Sequence, residues 1–138
     1  MDTKELVKLA IEAKENAYVP YSKFRVGAAL LAKNGQVYTG CNIESASYTP
    51  TNCAERTAYF KAVSEGVREF EAIAITSDVD GYTYPCGVCR QVMREFSKEL
   101  KIIIANTEED YKEYTLDEIF PFGFGPEDLE LEKKGDVK

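Results

Sequence analysis

The sequence predicts an α/β protein, a three-layer α/β/α sandwich built on a five-stranded mixed sheet. Three observations predict it. Short apolar runs alternate with segments of helical periodicity in the order α-β-β-α-β-α-β-β. A helical segment between the third and fourth strands implies a right-handed crossover joining parallel neighbours. Only about five residues separate the last two strands, too few for such a crossover, so that pair should be antiparallel.

Each element has a local cause. Asp2 followed by Glu5 forms a capping box, and Leu6, Leu9, Ala10, Ala13 and Ala17 recur at helical spacing, so a first helix should run to near Tyr18, ahead of Pro20. Val26–Ala32 (VGAALLA) is short and continuously apolar, and Asn34-Gly35 follows it. Asn-Gly between two apolar segments signals a hairpin, so strands near 25–33 and 36–40 should pair antiparallel. A polar loop, Asn42–Asn52, leads to a second helix over 53–65, stopped by Gly66. Ala72–Thr76 (AIAIT) reads as a buried strand and Asp78–Tyr84 as a loop. Pro85 precedes a third helix over 86–97, with Val88, Val92, Met93 and Phe96 expected to face the core. Lys101–Ala105 and Tyr111–Tyr114 complete the strands, and a short helix or two follows Thr115. One domain fills residues 1–138, with Glu132–Lys138 (EKKGDVK) expected as a frayed tail.

Composition narrows the function. The N-terminal segment is charged from its second residue and lacks an apolar core of signal-peptide length, and no stretch reaches membrane-spanning length. A cytoplasmic location, with no membrane partner, is the default expectation. In that reducing compartment four cysteines point to a metal or to catalysis before a disulfide framework. A net charge of −7 repels phosphate backbones, so nucleic-acid polymers are not expected partners. The chain has no histidine, so a metal site must use thiolates and carboxylates, and no imidazole can act as general base.

Two motifs carry chemistry: Cys53-Ala54-Glu55 at the start of the second helix, and Pro85-Cys86-Gly87-Val88-Cys89 at the start of the third. Cysteines three apart share a helix face and can reach one ion. In the first turn, free N–H groups and the helix dipole favour thiolate. If the two helix starts converge, Cys53, Cys86 and Cys89 leave one tetrahedral position open, the pattern of catalytic zinc. Glu55, two residues from a ligand, is placed to take a proton from an attacking water. Residues two apart do not share a helix face, so Cys53 should sit at the cap with non-helical dihedrals, with Asn52 or Thr51 expected to start the turn. Three thiolates exceed the charge of a zinc ion, and Arg56 and Arg90, each beside a motif residue, are expected to offset the excess.

Other readings of these residues exist. Cys41 as a fourth ligand would make the zinc site structural, although Cys41 reads better as a small apolar residue ending a strand. Cys86-Gly87-Val88-Cys89 after a strand would also suit a thiol redox protein, but that leaves Cys53-Ala54-Glu55 without a purpose. Taken singly, Phe24 would be core, Asn42 and Glu44 loop polar groups, Tyr48 an exposed aromatic, and Arg56 and Arg90 surface charges.

The strings CNIESASYTPTNCAERTA (41–58) and PCGVCRQV (85–92), with YSKFRVGAALL (21–31) and FGPEDL (124–129), resemble the small, single-domain, homotetrameric zinc-dependent cytidine deaminases over nearly the whole chain. Polynucleotide deaminases usually carry His where this chain has Cys53, so the resemblance points to the nucleoside branch. It implies one zinc ion per chain and hydrolytic conversion of cytidine and 2′-deoxycytidine to uridine and 2′-deoxyuridine, with Glu55 shuttling protons. It also implies that Phe24 packs on the pyrimidine and that Asn42 and Glu44 bind the sugar 3′-hydroxyl. The backbone at Ala54 would read the amino-pyrimidine edge, and Tyr48 and Phe124 would close pockets of neighbouring subunits. Arg56 matches the family's charge-balancing position. Small deaminases of an aminonucleoside antibiotic share both cysteine motifs; the Phe24, Asn42, Ile43, Glu44 set favours an ordinary nucleoside.

Overall fold

The computed structural model describes residues 1–129, so the expected tail at 132–138 lies outside the described residues. Helix α1 spans Thr3–Lys14, and strands β1 (Val26–Ala32) and β2 (Val37–Cys41) form the hairpin. Helix α2 (Ala54–Ser64), strand β3 (Phe70–Ser77), helix α3 (Gly87–Phe96) and strands β4 (Lys101–Ala105) and β5 (Tyr111–Thr115) follow. A short helix α4 (Leu116–Ile119) and a single 3₁₀ turn (Pro126–Leu129) close the described chain.

The strands form one sheet in the order β2-β1-β3-β4-β5. β3 and β4 pair in parallel from Ala72↔Lys101 to Ile75↔Ile104. The β1–β2, β1–β3 and β4–β5 pairs are antiparallel. Alternation along the strands makes two apolar faces. Ala29, Leu31, Ala72, Ala74 and Ile103 bury against Leu6, Val7 and Ala10 of α1. Ala28, Leu30, Ile73, Ile75, Ile102 and Ile104 bury against Ala54, Ala58 and Tyr59 of α2 and Met93 of α3. The expected α/β/α sandwich on a five-stranded mixed sheet is therefore present. None of the helices among the described residues is long and apolar enough to cross a membrane.

Local signals explain the start of α1 and the turn of the hairpin. Asp2 accepts from the Lys4 amide while Glu5 accepts from the Asp2 amide, the reciprocal cap that opens α1. At the hairpin, Gly35 adopts φ 93°, a conformation open to glycine without steric cost, and the Asn34 side chain accepts from the Gln36 amide.

Two expectations need correction. Helix α1 ends at Lys14 and does not reach Tyr18, because the Tyr18 backbone is drawn into a bridge with the 42–44 segment. Its N–H donates to the Asn42 carbonyl and its carbonyl accepts from Glu44 N–H. Val88 does not face the core; it is 57% exposed, whereas Cys89 and Met93 are buried. The rotational phase of α3 is fixed by turning Cys89 inward, and a residue one position earlier then points about 100° away.

Helix α2 lies almost directly on β2. A β-carbon added at Gly40 would overlap the Ala54 carbonyl and Ala58 amide of that helix. Gly40→Ala is expected to cost about 1–3 kcal/mol, the usual range for forced overpacking, because the obstacle is backbone and cannot swing aside. Thermal unfolding checks this: an unchanged Tm would show that the strand and helix part without cost.

A polar clasp joins α1, β1 and β3 at one end of the sheet. Asp78 accepts from the Arg25 amide, Nε and a terminal guanidinium nitrogen, each at 3.0 Å, and Lys14 Nζ lies 3.2 Å from its carboxylate. The Arg25 hydrogen bond, aided by its amide and by Lys14, holds the Asp78 pKa down to about 2. A depressed carboxylate stabilises the fold above its unfolded pKa of about 3.9 and ceases to do so as pH falls through the folded value. The Tm difference between wild type and Asp78→Asn should therefore be full near neutrality and shrink between about pH 4 and about pH 2. A difference independent of pH across that window would rule out the charge as its source.

Candidate active site

The site is built where α2 and α3 begin. Cys53 and Cys86 are the N-cap residues of these helices, with extended dihedrals of φ −76°, ψ 159° and φ −71°, ψ 171°. The turn of α2 thus starts at Cys53 itself, not at Asn52 or Thr51. The extended cap gives Cys53 and Glu55 a relative orientation that two residues within a helix cannot have. Cys89 follows in the first turn of α3 and is 1% exposed.

The three sulfurs all lie within 4.8 Å of one another, with Cys53 Sγ and Cys86 Sγ 3.9 Å apart. Tetrahedral ligation at a Zn–S distance of about 2.3 Å requires sulfurs about 3.8 Å apart, so both the donor set and its spacing fit zinc. Cys41 ends β2 and is outside this cluster among the described residues. The adjacent Cys89 thiol, and then Arg56, draw Cys53 toward thiolate, while Cys53 first, and then burial, hold Cys89 protonated. A terminal guanidinium nitrogen of Arg56 donates to Cys53 Sγ at 3.2 Å. Arg90 is used differently: its Nε donates to the Pro85 carbonyl at 2.8 Å and a terminal nitrogen to the Ile119 carbonyl. It ties the start of α3 to α4, with no bond to sulfur among the described residues.

Glu55 is 5% exposed. Burial above all, reinforced by the charge of Cys53, raises its pKa to about 7. A carboxyl that can hold or release a proton near neutrality suits acid–base work. It borders a cavity of about 220 Å³ together with Phe24, Val26, Asn42, Cys53, Ala54, Thr83, Tyr84 and Cys86. Among these, Phe24, Asn42, Ala54 and the motif residues were expected from the sequence. Val26, Thr83 and Tyr84 were not: Val26 reads as strand and the other two as loop, and the position of Thr83 and Tyr84 just before Pro85-Cys86 was the available signal.

The Asn42 side chain stitches this wall. Its Nδ2 donates to the Phe24 carbonyl at 2.8 Å, and its Oδ1 accepts from the Val26 amide at 2.9 Å. One amide hydrogen and one lone pair remain for a ligand. Glu44 uses Oε1 to accept from the Tyr21 and Ser22 amides, both at 3.1 Å, and its pKa is lowered first by the Ser22 side chain. It lines a separate, larger cavity with Tyr21, Ser22, Ser45, Tyr48 and Thr51. Tyr48 (74% exposed) and Phe124 (55% exposed) stand outside the cavity at Glu55. Phe124 is held by Gln91, which donates to its carbonyl, and an Arg94–Glu127 ion pair, which the sequence did not signal, ties α3 to the 3₁₀ turn that follows.

Residues 1–105 match the family model described as the cytidine and deoxycytidylate deaminase zinc-binding region. The chain belongs to that family. The family's zinc and the cysteine cluster fit together as one zinc ion per chain. Among relatives, a cytidine deaminase of Sporosarcina psychrophila is 52% identical over 94% of this chain and 96% of its own length. One from Halalkalibacterium halodurans is 53% identical over 94% of this chain and 98% of its own. The crystal structure of a cytidine deaminase from Burkholderia pseudomallei superposes with a TM-score of 0.85 at 45% identity. That match covers 90% of this chain and 100% of the other. The α/β fold of the deaminase family is thus the fold of this chain.

Proposed function

We propose that this protein hydrolyses cytidine and 2′-deoxycytidine to uridine and 2′-deoxyuridine with release of ammonia. The observation that carries the reading is Glu55, buried between a cluster of three cysteine sulfurs and a cavity bordered by Phe24 and Asn42. Cys53, Cys86 and Cys89 would hold the zinc, whose contribution is Lewis acidity toward the attacking water. Phe24 packs on the pyrimidine ring, and the backbone at Ala54 reads its amino edge. Asn42, through its free hydrogen, and Glu44, through Oε2, bind the sugar 3′-hydroxyl. Glu55 takes a proton from the water as oxygen attacks C4 and passes it to ring N3. As the tetrahedral carbon collapses, Glu55 takes the remaining hydroxyl proton and passes it to the amino nitrogen, which leaves as ammonia. Arg56 reduces the negative charge at Cys53, where its bond to sulfur supports this role. Arg90 serves the site indirectly, by fixing the start of α3.

On this proposal the enzyme serves pyrimidine salvage in the cytoplasm and works as a homotetramer. The outward aromatic rings of Tyr48 and Phe124 support assembly, each closing a pocket on a neighbouring subunit. A stable, fully active monomer would overturn those two roles.

Zinc content and ammonia release from cytidine, measured on one purified sample, test the function. About one zinc per chain with one uridine per ammonia is the expected result. Zinc without turnover would shift the substrate to another aminated ring or make the metal structural. Absence of both would favour thiol redox chemistry.

A further inference from the structure

The loop between β3 and α3 is pinned to the β4–β5 hairpin at the far edge of the sheet. Gly81 N–H donates to Asn106 Oδ1 at 2.9 Å, and Asn106 Nδ2 donates to Asp110 Oδ2 at 3.1 Å. The Tyr82 hydroxyl donates to Asp110, and Lys112 Nζ sits 4.5 Å from the centre of the Tyr82 ring. Two residues on, the Tyr84 and Tyr114 hydroxyls are 2.6 Å apart, with their rings edge to face at 5.6 Å. Thr83 is fixed in turn, its hydroxyl 2.6 Å from that of Ser77.

These ties end at the active site. Thr83 and Tyr84 border the same cavity as Phe24 and Glu55. Tyr84 is 40% exposed, so close packing does not fix its ring from all sides. Tyr114 supplies what packing leaves out: a hydroxyl partner that sets the rotation of the ring, offered from the regular backbone of an edge strand opposite Ile102. A flat aromatic held at the mouth of a base-sized cavity favours a planar heterocycle, and holding it in place before the ligand arrives lowers the entropic cost of binding.

We propose that the Tyr84 side chain is a specificity-determining aromatic wall of the pyrimidine-nucleoside pocket, and that Tyr114 is the residue that positions it. Binding of the ring therefore depends on a hairpin that contributes nothing to the metal cluster. The inference rests on the cytidine deaminase reading.

The test compares Tyr84→Ala, Tyr84→Phe and Tyr114→Phe with wild type. The readouts are kcat and KM for cytidine, Ki for the product uridine, and zinc per chain. Tyr84→Ala is expected to raise KM and Ki about tenfold with kcat and zinc little changed. Each phenylalanine variant, which keeps its ring and loses one hydroxyl of the pair, should raise both constants about threefold. A merely structural role would instead lower kcat and zinc together. KM and Ki within about twofold of wild type in Tyr84→Ala would overturn the wall. An unchanged Tyr114→Phe beside a weakened Tyr84→Ala would overturn the positioning. If Tyr84→Ala does not fold, the two phenylalanine variants decide: the expected rise in both supports the inference, and no change in either overturns it. Wild-type protein inactive on cytidine would sink the deaminase reading itself, and this inference with it.

Discussion

Glu55→Gln should lower kcat for cytidine about 10²–10⁴-fold, the span that positioned acid–base groups commonly contribute, while zinc content stays at wild-type level. The two side chains are nearly isosteric, so the amide fits the space that the carboxyl fills between Cys53 and the cavity. What it loses is the ability to take the two protons of the water in turn, passing one to ring N3 and the other to the leaving nitrogen. The fold should not suffer. Glu55 is 5% exposed, and burial disfavours its charge enough to raise its pKa to about 7. A neutral amide carries no such desolvation cost, so Tm should be unchanged or higher. Uridine should still bind. A variant with near-wild-type turnover would sink the shuttle role; one without zinc would mean that Glu55 supports the metal.

The second large effect is on the metal. Cys89→Ser is expected to abolish stoichiometric zinc and, with it, turnover. Cys89 is the most enclosed of the three thiols, so no neighbouring group or solvent can readily replace its sulfur. A serine hydroxyl ionises far less readily than a thiol and has a shorter reach, so it is a poor substitute for thiolate. Stability should report the loss independently. A metal that binds only the folded state raises the unfolding temperature, so a chelator should lower the wild-type Tm toward that of Cys89→Ser and leave the variant's own Tm unmoved. Cys41→Ser is the control, since Cys41 ends β2 outside the cluster, and it should keep its zinc. Full zinc in Cys89→Ser, with wild-type turnover, would remove Cys89 from the ligand set.

Capping and spacing were legible because they act over a few residues. The Asp2–Glu5 box, the glycine at the hairpin tip and the stop at Gly66 each depend on chemistry within one turn, and each appears where the sequence puts it. The same holds for Cys53 as a helix cap, since Glu55 can serve the metal only if Cys53 lies outside the helix. The end of α1 was not legible, because Tyr18 is claimed by residues 42–44, which local periodicity cannot see. Val88 was misread for a related reason: an apolar residue in a short helix has two possible faces, and only the inward turn of Cys89 decides between them.

By itself, then, the sequence determined the layer architecture, the three thiols with their neighbouring carboxylate, and the absence of any imidazole alternative. Tertiary structure decided which side chains surround them. The order β2-β1-β3-β4-β5 puts β1 beside β3 and lets residues near 24, 42, 54 and 84 share one cavity. It also decided that Arg56 reaches a sulfur while Arg90 reaches two carbonyls, although both stand beside motif residues in the chain. The physical reason is range. Helix periodicity and capping are fixed by neighbours a few residues away, whereas a pocket wall is set by which strands pair, and that depends on burying both faces of the sheet at once.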